Sequence, residues 1–319
     1  NAVRSSVGIN EVHNFSKFLI TGPNARAWLD RIMAGRIPSY GRLALNPMLS
    51  NKGRLIGDFT VSCISKDTFQ LTASYASQEY HHRWFIQNID DGVHIENISD
   101  QRNGFQIAGP RAAEVLQECT SVRVEEIRFL DVLEMTVGRT DCIVQKVSYT
   151  GDQGFEIYCD STDQQSLWNT LWTAGKDYGM TPFGMRAMMS LRLDRFFGSW
   201  MSEFSPDYTA AETGLDRFVS FKKNVDFIGR SVAEAERASP PLRQLVVFEV
   251  DAAEADIVSY EPVFINDEVQ GYCTSGGFSH HAKKSIAFAL VPRAMVTDDL
   301  VVEIEILGQR RDAKRLLEP

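Results

Sequence analysis

Hydrophobic positions along this chain follow two periods that alternate at recognisable points. Phe18-Leu19-Ile20-Thr21 runs as a short apolar strand into Gly22-Pro23, and Ala25, Trp28, Leu29, Ile32 and Met33 follow. Their i, i+3, i+4, i+7, i+8 spacing predicts one apolar helix face, with Gly35 as the cap. The pattern returns at Phe105-Gln106-Ile107-Ala108-Gly109-Pro110-Arg111-Ala112. Phe, Ile, Gly, Pro, Ala and a later Leu (Leu29 and Leu116) recur 87 positions apart. Strand–turn–helix units can share a turn by chance, but six identities in one register favour duplication.

Behind each unit the pattern shortens to the strand period. Residues 54–64 and 68–73 predict a hairpin around Ser65-Lys66-Asp67, with a helix from near Ser77. In the second copy, residues 141–148 and 155–159 flank Thr150-Gly151-Asp152-Gln153-Gly154, a run of turn formers. The next helix is expected to be capped by Ser161 or Thr162 and to stop at Gly179. Two βαββα-like halves predict an α+β region with a pseudo-two-fold axis, and a cleft between halves is a natural ligand site. Residues 185–194 read as a helix and 198–214 as a long loop. Beyond Ser239-Pro240-Pro241, short alternating runs at 244–250, 285–291 and 301–306 predict a small all-β barrel or sandwich. The expected organisation is therefore a duplicated α+β domain over 1–240, with halves of about 1–98 and 99–240, then an all-β domain over 241–319.

Composition narrows the partners. At 319 residues, with 44% hydrophobic and 24% charged residues, the chain is an ordinary globular one of more than one domain. A net charge of -9 argues against nucleic acid as the main partner. No apolar run is long enough to span a bilayer and no signal peptide opens the chain, so no membrane partner is expected. The five cysteines are odd in number and scattered without CxxC spacing, which suggests a reduced intracellular compartment and no zinc site. The sequence opens at Asn1 without a methionine, so a longer polypeptide is expected around it.

Two carboxylates stand out. In Leu55-Ile56-Gly57-Asp58-Phe59-Thr60-Val61, alternation places Asp58 opposite Phe59 and Val61. Aspartate suits a strand interior poorly, so Asp58 either faces water at an edge or serves an amine in the inter-half cleft. Glu156 lies between Phe155 and Ile157 just after the second turn, and it too either faces water or reads a ligand. By the repeat, both lie on equivalent hairpins and are expected to converge at the pseudo-dyad. Other groupings are weaker: His280-His281 reads as a solvated loop, His81-His82 as helix surface, and Gly276-Gly277 as a β-turn. No dinucleotide or Walker motif is present in the sequence.

Taken together, Ala2-Val3-Arg4-Ser5-Ser6-Val7-Gly8, the two Gly-Pro units, Tyr149-Thr150-Gly151 through Glu156, Leu191-Arg192-Leu193-Asp194 and Asp226-Phe227-Ile228-Gly229-Arg230 occur in a telling order. The chain resembles the folate-dependent aminomethyltransferase family, the glycine cleavage T-protein and its relatives, nearly end to end. Within it, residues 203–219 look most like the folate-binding portion of dimethylglycine and sarcosine dehydrogenases. The resemblance implies a folate-binding α+β region of related halves, a C-terminal β-barrel, and tetrahydrofolate as cofactor. It assigns catalysis to Asp58, pterin contacts to Glu156 and Tyr149, and a basic and an aromatic position near the cofactor to Arg192 and Trp200. This sequence departs from the T-protein pattern at Gly57, Leu45, His13-Asn14, Ala73 and Asp194.

The implied function is one-carbon transfer to tetrahydrofolate from a small N-methylated or aminomethyl donor. An upstream FAD-dependent oxidoreductase domain or subunit is the implied partner, and a cytoplasmic or mitochondrial-matrix location follows. The alternatives are a folate-dependent S- or O-demethylase, or a non-catalytic folate-binding accessory protein.

Overall fold

The computed structural model describes residues 2–319. Its backbone divides into two compact units. The first takes in the chain up to Asn46, Asp58–Met188 and Lys223–Phe227, and the second Pro47–Gly57, Met189–Lys222 and Ile228–Pro319.

The first unit opens with α1 (Ala2–Ser5), β1 (Gly8–Glu11), β2 (Phe15–Thr21) and α2 (Ala25–Ile32). Then come β3 (Leu43–Leu49, up to Asn46 in this unit), β4 (Leu55–Ser65, from Asp58 onward), β5 (Thr68–Ser74) and α3 (Gln78–Gln87). The second copy is β6 (His94–Asn97), β7 (Arg102–Ala108), α4 (Ala112–Glu118), β8 (Val132–Val137), β9 (Thr140–Gln145), β10 (Gly154–Asp160) and α5 (Gln164–Gly175), closed by β11 (Thr181–Pro182). Each half thus holds three strands between its helices where the sequence predicts two. Of the two missed strands, β3 alternates poorly in polarity, whereas β8 alternates over residues 134–137. The element starts of the whole half repeat at offsets between 85 (β4 at 55, β9 at 140) and 89 (β3 at 43, β8 at 132), from β1 and β6 through to α3 and α5.

The halves exchange a strand. β1 precedes β2 in the chain yet pairs antiparallel with β7, and β6 precedes β7 yet pairs antiparallel with β2. The resulting sheets run β3-β4-β5-β2-β6 and β11-β1-β7-β10-β9-β8. The repeated Gly-Pro turns have a steric cause. Gly22 and Gly109 sit at φ +120° and +133°, and a Cβ on either would fall 2.2 Å from Gly92 O or 2.4 Å from Ser6 O.

All five apolar positions predicted on α2 are buried. The helix ends sooner than expected, with Met33 as an extended C-cap in place of Gly35. The second copy's helical run is capped by Asp160 and not by Ser161 or Thr162. Its carboxylate accepts from Thr162 N at 2.9 Å and Thr162 Oγ1 at 2.7 Å, which satisfies donors that a helix start leaves unpaired.

In the second unit, α6 (Met185–Leu193, from Met189 onward), α7 (Ala210–Thr213) and α8 (Arg230–Ala238) precede six strands. These are β12 (Arg243–Val250), β13 (Pro262–Ile265), β14 (Glu268–Ser279), β15 (Lys284–Pro292), β16 (Val301–Ile306) and β17 (Gln309–Leu316). They close as a barrel in the order β12-β15-β14-β13-β16-β17 around Val246, Phe248, Val263, Cys273, Ala289 and Ile304. Of barrel and sandwich, the barrel holds. The long loop predicted at 198–214 contains α7, started by a reciprocal capping box of Thr209 and Glu212. All five cysteines are buried and free.

Candidate active site

On β10, Phe155, Ile157 and Cys159 pack with Leu116 of α4 and with Leu167 and Leu171 of α5. Strand alternation therefore sends Glu156 and Tyr158 to the opposite face. On β4, Phe59 packs against His81 and Phe85 of α3, at ring separations of 4.7 and 5.6 Å. Asp58, Thr60 and Ser62 alternate with Phe59, Val61 and Cys63 and face away from that helix. The two faces turned from the helices meet each other. Arg102 Nη1 of β7 donates to Gln70 Oε1 of β5 at 3.0 Å, and Tyr158 is hydrogen-bonded to Thr72. Val12, Leu43, Ile64, Val132, Ile143 and Tyr158 form the apolar part of the junction. Both acidic candidates thus project from the sheet faces turned inward.

They are not symmetry mates, however. Asp58 lies on the first strand of its hairpin and Glu156 on the second, and the repeat makes Gln70 the counterpart of Glu156. His81, expected on a helix surface, is fully buried between Phe59 and Tyr80. His280 and His281 are solvated, as read from the sequence.

Burial dominates the electrostatics. Glu156 is 7% exposed. Loss of hydration pushes its carboxyl up to about 7, against the Tyr158 hydroxyl and the charge of Lys17, which both favour the ionised form. The Tyr158 hydroxyl donates to Glu156 Oε2 at 2.7 Å. Asp58 is likewise pushed up to about 7 by burial, with its own backbone N–H resisting. Asp58 is half-buried, so water still reaches it.

Lys17 was not singled out by sequence. It is fully buried on β2, its Nζ donating to Val12 O at 3.3 Å and His13 O at 3.5 Å. Burial lowers its pKa to about 8, against the charges of Asp100 and Glu156. The available signal was a lysine alternating with Phe18 and Ile20 in an otherwise buried strand. Also missed was a row of amides beside Glu156. Asn10 pairs with Gln106, Gln106 with Glu156, and Glu156 with Gln145 in neighbouring-strand register.

The turn ahead of β10 is held firmly. Ser148 Oγ lies 2.7 Å from Thr150 Oγ1 and accepts from Thr150 N at 3.2 Å, while Arg4 pairs with Asp152. Half-buried Tyr149 stands between those serine and threonine anchors.

In the second unit, Arg192 is 2% exposed. It donates to Glu203 Oε2 at 3.1 Å, to Phe197 O at 3.0 Å and to Ser275 Oγ at 2.9 Å, with its guanidinium over the Phe288 ring. Glu203 is fully enclosed and also accepts from Ser199 N at 2.9 Å and Thr274 Oγ1 at 2.7 Å. Half-buried Trp200 lies on the short turn between Ser199 and Glu203.

Residues 1–223 match the family model described as the GCVT N-terminal domain, and residues 243–319 match the glycine cleavage T-protein C-terminal barrel domain. The chain belongs to the glycine cleavage T-protein family. It is 30% identical to an aminomethyltransferase of Geobacillus sp. (strain WCH70), across 100% of this chain and 88% of that protein. It is 33% identical to mitochondrial dimethylglycine dehydrogenase of Homo sapiens across 99% of this chain, yet spans only 37% of that protein's length. The fold matches the crystal structure of glycine cleavage system aminomethyltransferase T from Bartonella henselae, with a TM-score of 0.90, 20% identity, and coverage of 98% and 86% of the two chains. The resemblance read from the motifs is thus met at the level of the family. Among the described residues, no helix is long and apolar enough to cross a membrane.

Proposed function

We propose that this chain transfers a one-carbon unit from an N-methylated amine to tetrahydrofolate, as the transferase part of a system whose oxidation step is carried by a flavoprotein domain or subunit. One observation carries the reading: the buried carboxylate of Glu156, on an inward sheet face, has among the described residues a tyrosine for its only hydrogen-bond partner and no ion-pair partner. Burying a carboxylate without a paired cation is costly, and a ligand presenting adjacent N–H donors offsets that cost. The amino-pyrimidine edge of a pterin presents such donors, so the donor set fits tetrahydrofolate.

The residues divide the work. Glu156 holds the pterin edge, and Tyr158 keeps it ionised. Tyr149, braced by its turn, packs on the ring. Bound tetrahydrofolate supplies the nitrogens that take up the one-carbon unit. Asp58, reachable by water, accepts a proton or steadies the cationic amine of the donor.

In the second unit, Arg192 is a positioning residue. Its ion pair with Glu203 fixes the turn that carries Trp200. A flavoprotein partner is supported by the dimethylglycine dehydrogenases, which share this chain's sequence over little more than a third of their length.

Isothermal calorimetry with tetrahydrofolate on the wild type and on Glu156→Gln tests the reading. Wild-type binding that weakens at least tenfold in Glu156→Gln supports it, and equal affinities or no wild-type binding sink it.

A further inference from the structure

The row through Glu156 holds two buried carboxamides with nothing to bind. Gln106 on β7 and Gln145 on β9 stand directly opposite Glu156 on the two neighbouring strands. Gln106 and Gln145 are both fully buried. Among the described residues, neither Oε1 nor Nε2 of either side chain has a hydrogen-bond partner. Directly opposed residues in a sheet carry their Cβ atoms about 5 Å apart on one face, so the three side chains form one contiguous polar patch. Buried polar atoms are nearly always paired, and an unpaired amide costs stability that a methionine or leucine of similar size would not. Four such atoms beside a carboxylate are out of place in a sheet core and in keeping with a surface that binds something.

Their chemistry complements the acid. Glu156, when ionised, only accepts hydrogen bonds, whereas each glutamine offers two donor hydrogens and an acceptor oxygen. Neither glutamine donates to Glu156, so the acid and the amides are left to a third party. A fused 2-amino-4-oxopyrimidine head group carries N–H donors beside a carbonyl and a ring nitrogen, which an acid alone cannot satisfy. We propose that Gln106 and Gln145 flank Glu156 as head-group recognition residues, pairing with the carbonyl and ring-nitrogen positions that Glu156 leaves unmatched. This inference rests on the folate reading of the site and extends it to two residues.

The test uses the full chain, with calorimetry against tetrahydrofolate, against 6-methyltetrahydropterin as head group alone and against p-aminobenzoylglutamate as tail alone. Thermal unfolding of the ligand-free proteins is followed in parallel. Gln106→Met and Gln145→Met are each expected to weaken head-group binding about tenfold. Tail affinity should stay constant, and the ligand-free unfolding midpoint should stay or rise. Gln106→Asn and Gln145→Asn keep the amide but draw it back by one methylene, and they too should weaken the head group. If either glutamine only supports the sheet, its methionine variant will lower the midpoint or affect both fragments alike, which overturns the proposal. Unchanged head-group affinity in the variants overturns it as well. A wild type that binds neither tetrahydrofolate nor the head group instead overturns the folate reading beneath it.

Discussion

Tyr158 donates its hydroxyl to Glu156 Oε2 across 2.7 Å from two residues further along the same strand. The bond favours the charged carboxylate against the burial that pushes it up to about 7. Tyr158→Phe removes that support and moves the carboxyl further up. Calorimetry at pH 7 should then show tetrahydrofolate binding several-fold weaker than wild type, with the gap closing by pH 9. A gap of equal size at both pH values would mean that the hydroxyl serves packing alone.

Stability should follow the same groups. Asp58 and Glu156 titrate near 3.8 and 4.5 when unfolded but near 7 when folded. Between those values the native state holds more protons than the unfolded state, so stability falls as pH rises from about 4 to about 7. The Glu156 share is roughly 3 kcal/mol. Lys17 acts in reverse: its folded value of about 8 lies below 10.5. The unfolded state then holds the extra proton between about 8 and 10.5, and stability rises with pH there. Urea unfolding of wild type against Asp58→Asn/Glu156→Gln at pH 5 and 7.5 isolates the acidic part. The double variant should lose less stability between the two pH values than wild type does.

Much of this was legible in the chain because local rules dominated where they were read. The α2 stripe, the Gly-Pro turns and the barrel strands are set by periodicity and steric demand, and they hold. In the first half the third strand escaped because β3 breaks alternation with Asn46-Pro47, whereas β8, which alternates over residues 134–137, was legible in the pattern. The strand exchange between β1 and β6 escaped for another reason, since pairing partners across the repeat leave no local mark. Alternation correctly turned Asp58 and Glu156 away from the helices. It could not say that Gln106 and Gln145 stand beside Glu156, because only the register between strands carries that fact.

Arg192 and Glu203 form an ion pair with both side chains enclosed, at 2% and 0% exposure. Arg192→Met leaves Glu203 charged and unpaired in the interior, a change that typically costs about 3–5 kcal/mol. Arg192→Lys should not restore it, because one ammonium cannot reach Glu203, Phe197 O and Ser275 Oγ with a planar fork's geometry. Chemical denaturation of both variants checks this. A lysine variant as stable as wild type would show that charge alone matters here.

Asp58 and Glu156 are both pushed to about 7, yet their surroundings separate their roles. Glu156 is closed in and engaged by Tyr158, which suits the proposed binding role of an ionised carboxylate. Among the described residues Asp58 has no side-chain partner, and it is half-buried where water still reaches it, which suits the proposed proton exchange at each turnover. Asp58→Asn preserves shape and removes the base. Turnover of an N-methylated donor should fall by about a hundredfold or more, the usual size of a general-base contribution, while tetrahydrofolate affinity stays within about threefold. Steady-state kinetics beside calorimetry separate the two effects. Should affinity collapse and turnover at saturation survive, Asp58 would belong to cofactor binding, and the base would have to be sought elsewhere on the inward faces.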